Sequence, residues 1–140
     1  MARIALLCGT GMGKIVHEFS DLCTNSENIR IDSPWGAVSC TLLDLGIGEL
    51  LIIDRHHSED DSRTPPHSIE HRANVHAAAS LSPNVIVSVN SVGTMLEELP
   101  PGDIGIAQDV LDLAIRPWTF HDNDAIHADR TMIFDPKYSK

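Results

Sequence analysis

The stretch "ELLIIDRHHSEDDSRTPPHSIEHRANVHAAASLSPNVIVSVN" (Glu49–Asn90) changes its hydrophobic period twice, and those changes decide the fold class. Glu49–Ile53 is a short apolar run of strand length that ends in a polar segment opening on Arg55, His56 and His57. From His67 to Ser80 the apolar residues Ile69, Ala73, Ala77 and Ala79 recur at helical spacing, and Pro65-Pro66 suits a helix start. Asn84–Asn90 is β-branched and follows Pro83, which predicts a buried strand. Strand, helix and strand alternating in that order argue for an α/β domain.

Working outward, Arg3–Leu7 is an apolar run that stops at "CGTGMGK", a predicted strand entering a glycine turn. Strands are also expected at Ile29–Ile31 and Ala37–Leu43, punctuated by Pro34-Trp35-Gly36 and by Gly46 and Gly48, which places β-hairpins nearer the front of the chain and argues for a mixed sheet. Beyond Asn90, "SVGTMLEEL" predicts a turn and a short helix ended by Pro100-Pro101-Gly102, and Asp103–Ala107 predicts a further strand. The expected architecture is a single α/β domain over residues 1–140, with a mixed central sheet and flanking helices. Neither an internal repeat nor a low-complexity segment interrupts it.

Composition narrows the function classes. Twenty Asp and Glu against ten Lys and Arg give a formal charge of -10. A surface of that sign repels nucleic acid and anionic lipid, and no basic cluster offsets it. No apolar run reaches membrane-spanning length, and the apolar N-terminal segment leads into glycines rather than a cleavage site, so a cytoplasmic location is expected. Cys8, Cys23 and Cys40 are an odd set without a CxxC pair and are expected to be free, buried thiols.

Three polar segments follow predicted strands: Gly9-Thr10-Gly11, Arg55-His56 and Asn90-Ser91. Ligands of open α/β sheets bind at strand C-terminal ends, so these segments are expected to converge on one crevice. "GTGMGK" lacks the third glycine of a dinucleotide fingerprint, which would fall at Lys14. It also lacks the glycine and the hydroxyl of a P-loop, which would fall at Cys8 and Ile15. A turn able to bring backbone N–H groups and the Thr10 hydroxyl to an anion remains. Arg55 adds a permanently charged fork and His56 a further hydrogen bond. A competing pattern is His67-Ser-Ile-Glu70-His71, which reads H-x-x-E-H. On one helix its histidines would share a face and hold zinc, with Glu70 as general base, although no third ligand is evident.

Together "CGTGMG", "SPWG", "RHH" followed by "PPHSIEHRAN", "VNSVGTM", "PPGDI" and "RPWTF" stand in the order and rough spacing of the methylthioadenosine/purine nucleoside phosphorylases. The chain resembles the N-terminal part of that family. The resemblance implies phosphorolysis of a purine or methylthiopurine nucleoside to free base and a sugar 1-phosphate, with inorganic phosphate as co-substrate and no other cofactor or metal. It places Thr10, Arg55, His56 and Asn90 on phosphate and Ser91 on phosphate and ribose, leaves the catalytic residues unknown, and suggests a homo-oligomer, trimer or hexamer. His57 stands where the family usually has glycine, and "SEDDSRT" fills a longer loop, which makes His57 a candidate extra ligand. The family runs to roughly twice this length. The expected activity is therefore incomplete in this chain, with a zinc hydrolase or a non-catalytic phosphate-binding remnant as the alternatives.

Overall fold

The computed structural model of the chain describes residues 1–9, 12, 14–57, 62–113, 119–131 and 133–135. Met1–Ser91 forms one compact unit and Val92–Lys140 a second.

The first unit is built on strands β1 (Ala2–Cys8), β2 (Asn25–Ile31), β3 (Val38–Asp44), β4 (Gly48–Asp54) and β5 (Val85–Val89). They form one sheet in the order β2-β3-β4-β1-β5. The β2-β3 and β3-β4 pairs are antiparallel, whereas β1 runs parallel to both β4 and β5. The sheet is mixed, as the sequence predicts. Two helices, α1 (Ile15–Glu18) and α2 (His71–Ser80), complete the unit. The four-residue α1 was not anticipated, since it is too short to show a period.

Strand alternation divides the apolar residues between two faces. On one, Ala5, Leu7, Val38, Cys40, Leu51 and Ile53 pack with Ala73, Ala77 and Ala78 of α2. On the other, Leu6, Cys8, Leu43, Leu50 and Ile52 meet Met12, Ile15, Val16 and Phe19 around α1. Because Ala5–Cys8 of β1 is covered on both faces it reads as a continuous apolar run, the pattern of a central parallel strand. Asn84 fixes the register of β5: its Oδ1 accepts from the Arg3 backbone N–H at 2.8 Å and its own N–H donates to the Arg3 carbonyl at 2.8 Å.

Several expectations are corrected. The helix predicted over His67–Ser80 begins only at His71; Pro66–Ser68 is a separate 3-10 turn, and Ile69 is extended at φ -64° and ψ 126°. That break buries Ile69 and leaves Glu70 as the N-cap of α2, its side chain accepting the Arg72 N–H. His67 and His71 therefore do not share a helical face, and the Glu70 carboxylate is engaged by Arg72. The zinc-hydrolase alternative loses its geometry. β5 is not a buried strand: among the described residues it pairs only with β1, and Ile86 is 43% and Val87 39% exposed. Within α2 the inward position is Ala78 rather than Ala79. Cys8 and Cys40 are buried as expected, but Cys23 is only half-buried.

In the second unit the predicted helix is replaced by a turn ending at Leu99, whose N–H donates to the Leu96 carbonyl at 3.3 Å. The Thr94 hydroxyl accepts the Leu96 N–H at 3.1 Å, a local bond that competes with helical ones. Asp103–Ala107 is not a strand, and Ile104 is 93% exposed. Alternation supplies a face but no partner strand, and among the described residues of this unit none pairs with it.

Candidate anion-binding site

β1 lies between β4 and β5, and Cys8 is level with both Asp54 and Val89. The residues that follow these positions, Gly9, Arg55 and Asn90, therefore emerge side by side at one end of three parallel strands. Backbone hydrogen bonds hold them there: Gly9 N–H donates to the Val89 carbonyl at 2.9 Å and Arg55 N–H to the Cys8 carbonyl at 3.0 Å. Two of the three sequence-predicted segments thus stand beside the described part of the first; Thr10 and Gly11 lie outside the described residues.

The Arg55 side chain lies against the backbone of Gly9. A Cβ at Gly9 would stand 2.9 Å from the Val89 carbonyl oxygen, and closer still to Arg55 Nη2. The glycine is required for room. Arg55 Nε is buried and has no hydrogen-bond partner among the described residues. A buried guanidinium donor without an acceptor is costly unless an anion supplies one.

The flanking groups have defined roles. Asp54 would oppose an anion, but its carboxylate pairs with Arg63 at 2.9 and 3.3 Å and accepts the His56 N–H at 2.9 Å, which offsets its charge. His56 is buried, with Nδ1 2.9 Å from the Thr64 carbonyl. That oxygen only accepts, so Nδ1 carries the hydrogen, and Nε2 donates to an anion only as imidazolium. Asn90 and Ser91 are exposed, and Asn90 Nδ2 donates to Ser88 Oγ at 3.2 Å. The Cys8 thiol has its pKa raised, chiefly by burial and then by Asp54, with Arg55 pulling the other way. Cys8 is thereby a packing residue rather than a nucleophile.

Sequence reasoning missed Asn74. It is only 2% exposed, donates through Nδ2 to the Arg55 carbonyl at 3.4 Å and meets His57 Nε2 through Oδ1 at 3.1 Å. A polar residue beside Ala73 on the inward face of a helix was the available signal. His57 lines both a cavity of about 380 Å³, with Cys8, Asp54, Ser39 and Thr41, and one of about 140 Å³, with Arg55, Thr64 and Asn74.

Comparison with known proteins bears on this geometry. The model of the Phosphorylase superfamily matches residues 3–140. The chain is 32% identical over 138 residues to the "Probable S-methyl-5'-thioinosine phosphorylase" of Methanosarcina acetivorans, covering 98% of this chain and 49% of that one. It is 31% identical to the 6-oxopurine nucleoside phosphorylase of Pyrococcus furiosus, covering 95% of this chain and 48% of that protein. A crystal structure of a mutant adenosine/methylthioadenosine phosphorylase from Schistosoma mansoni, in complex with methylthioadenosine, shares the fold, with a TM-score of 0.60 and 24% identity over 74% of this chain and 34% of that one. The chain spans about half the length of the curated relatives it matches.

Proposed function

Because the chain belongs to the phosphorylase superfamily over residues 3–140, we propose that it contributes the phosphate-binding part of an enzyme that cleaves a purine or methylthiopurine nucleoside with inorganic phosphate. In that reaction a phosphate oxygen bonds to the sugar C1′ as the C1′–N bond breaks. The bonding pair leaves with the purine nitrogen, which takes up a proton. The products are free base and ribose or methylthioribose 1-phosphate, a pentosyl transfer. As the bond breaks, positive charge develops on the sugar, and a phosphate dianion held beneath it both stabilises that charge and attacks. The nucleophile thus supplies the countercharge, and this chemistry calls for no metal or organic cofactor.

The observation that carries the reading is Arg55: a guanidinium at the ends of three adjacent strands, with Nε buried and unpartnered among the described residues. In the proposed site Arg55 makes the charge-assisted contact, Thr10, Asn90 and His56, the last in its imidazolium form and donating through Nε2–H, complete the phosphate cradle, and Ser91 reaches phosphate and ribose. Substrate partners are the nucleoside and phosphate, and copies of the chain assemble as a trimer or hexamer in the cytoplasm. Among the described residues no helix is long and apolar enough to cross a membrane.

Calorimetric titration with phosphate, run beside an assay of purine release with and without phosphate, tests the reading. Saturable phosphate binding weakened in Arg55→Ala is expected, with slow release by this chain alone, because a leaving purine must also be held and protonated. Equal phosphate affinity in Arg55→Ala and the parent would refute it.

A further inference from the structure

Asn74 is the only polar side chain among the four buried residues of α2. Its amide reaches two points of the loop after β4: Nδ2 meets the Arg55 carbonyl at 3.4 Å and Oδ1 meets His57 Nε2 at 3.1 Å. The Arg55 carbonyl can only accept, so the amide nitrogen must face it and the amide oxygen must face His57. An oxygen acceptor at Nε2 requires the hydrogen there. In the neutral ring Nδ1 is then left with a lone pair.

The backbone of His57 is tied on both sides. Its N–H donates to the Asp54 carbonyl at 3.1 Å, and its carbonyl accepts from Thr64 Oγ1 at 2.7 Å. With the main chain fixed, Asn74 sets the ring's remaining freedom. A lone pair repels a phosphate oxygen but accepts from a hydroxyl, and a nucleoside brings sugar hydroxyls to within bonding range of a phosphate poised at C1′.

Resting on the phosphorolysis reading, we propose that Asn74 is a positioning residue that holds His57 as the Nε2–H tautomer, so that His57 takes a sugar hydroxyl through Nδ1 instead of serving as an extra phosphate ligand. His57 lines both cavities, the smaller of them together with Arg55 and Asn74. His57 also stands where the resembled family usually has glycine.

Long-range nitrogen–proton NMR of the histidine rings reads the tautomer directly. The parent is expected to show His57 protonated at Nε2, and Asn74→Leu to show mixed tautomers, a change that lost packing alone does not produce. Calorimetry with inorganic phosphate and with ribose 1-phosphate, which adds the sugar hydroxyls, reads the contact. The ratio of ribose 1-phosphate to phosphate affinity should fall about fivefold in His57→Phe and in Asn74→Leu, the size of one neutral hydrogen bond. Nδ1–H in the parent, or an unchanged ratio in His57→Phe with phosphate binding intact, overturns the proposal and leaves the phosphate reading standing. Failure of the parent to bind either ligand sinks both. If Asn74→Leu does not fold, the parent spectrum and His57→Phe still decide.

Discussion

Replacing Gly9 with alanine should weaken phosphate binding about as much as removing Arg55, without touching a charged residue. The new methyl would lie 2.9 Å from the Val89 carbonyl oxygen and nearer still to Arg55 Nη2. Two routes relieve the overlap. The strands can part, which strains the Gly9–Val89 hydrogen bond of 2.9 Å and typically costs ~1–3 kcal/mol. Alternatively the guanidinium swings away; as the end of a flexible side chain it yields first. That displacement removes a charge-assisted contact worth roughly 1.5–3 kcal/mol, or about 10- to 150-fold in phosphate affinity. Calorimetry on Gly9→Ala, Arg55→Ala and the double variant reads the coupling, with urea unfolding to separate stability from binding. The double variant should bind no more weakly than Arg55→Ala, because both changes remove one interaction. Additive losses, or parental affinity in Gly9→Ala, would refute the placement of Arg55 over Gly9.

Two further outcomes follow from ionisable groups. Glu70 has its pKa lowered, chiefly by the Arg72 side-chain hydrogen bonds and further by the Arg72 N–H and the charges of Arg72 and His71, against a smaller opposing effect of burial. A depressed folded pKa means its stabilisation is complete above the ordinary glutamate range and is lost as pH falls through that range toward the folded value. Its side chain is 40% exposed, and solvent screening holds the effect to the lower part of the ~0.5–2 kcal/mol of an N-cap. Urea unfolding between pH 7 and pH 4 should show a smaller acid loss in Glu70→Gln than in the parent; equal losses would count against the cap. Burial pushes the Cys40 thiol up to about 11, leaving about one thiolate in a thousand at pH 8. Native alkylation followed by mass spectrometry should modify half-buried Cys23 well before Cys8 and Cys40, and equal rates at all three would contradict the packing.

What was legible in the sequence was mainly what repeats along it. Period and punctuation located β1, β3, β4 and β5 to within a residue or two, and the glycine and arginine after β1 and β4 marked the strand ends where the site forms. What failed depends on partners distant in the chain. Val85–Val89 has the composition of a buried strand, yet its exposure is set by what lies beyond the sheet edge. Ile104 and Ile106 alternate correctly but have no described ladder to join. The H-x-x-E-H pattern failed for a local reason: Pro65-Pro66 starts a 3-10 turn, and burial of Ile69 in an extended conformation breaks the chain before Glu70. Asn74 was visible as a residue but not as a strut, since its partners Arg55 and His57 lie on another element.

The two edges of the sheet explain why site and fold make a common demand. β2 reads "NSENIRI" (Asn25–Ile31), mostly exposed and polar, with a charged residue at Glu27 and Arg30, the kind of edge that resists pairing with another chain. β5 reads "VIVSV" (Val85–Val89), a parallel strand with β-branched residues projecting to both faces and nothing charged. Parallel strands are ordinarily covered on both faces, so β5 is the edge suited to further structure and β2 is not. Asn90 and Ser91 follow directly on β5, beside Gly9 and Arg55. Under the phosphorolysis reading the sugar and purine must sit over the phosphate at this same end, where the cavity beside His57 is walled by Cys8 and Asp54 and, across the sheet, by Asn28 and Arg30 of β2. Structure that covers β5 therefore meets the site where Asn90 and Ser91 leave the strand, beside Gly9 and Arg55.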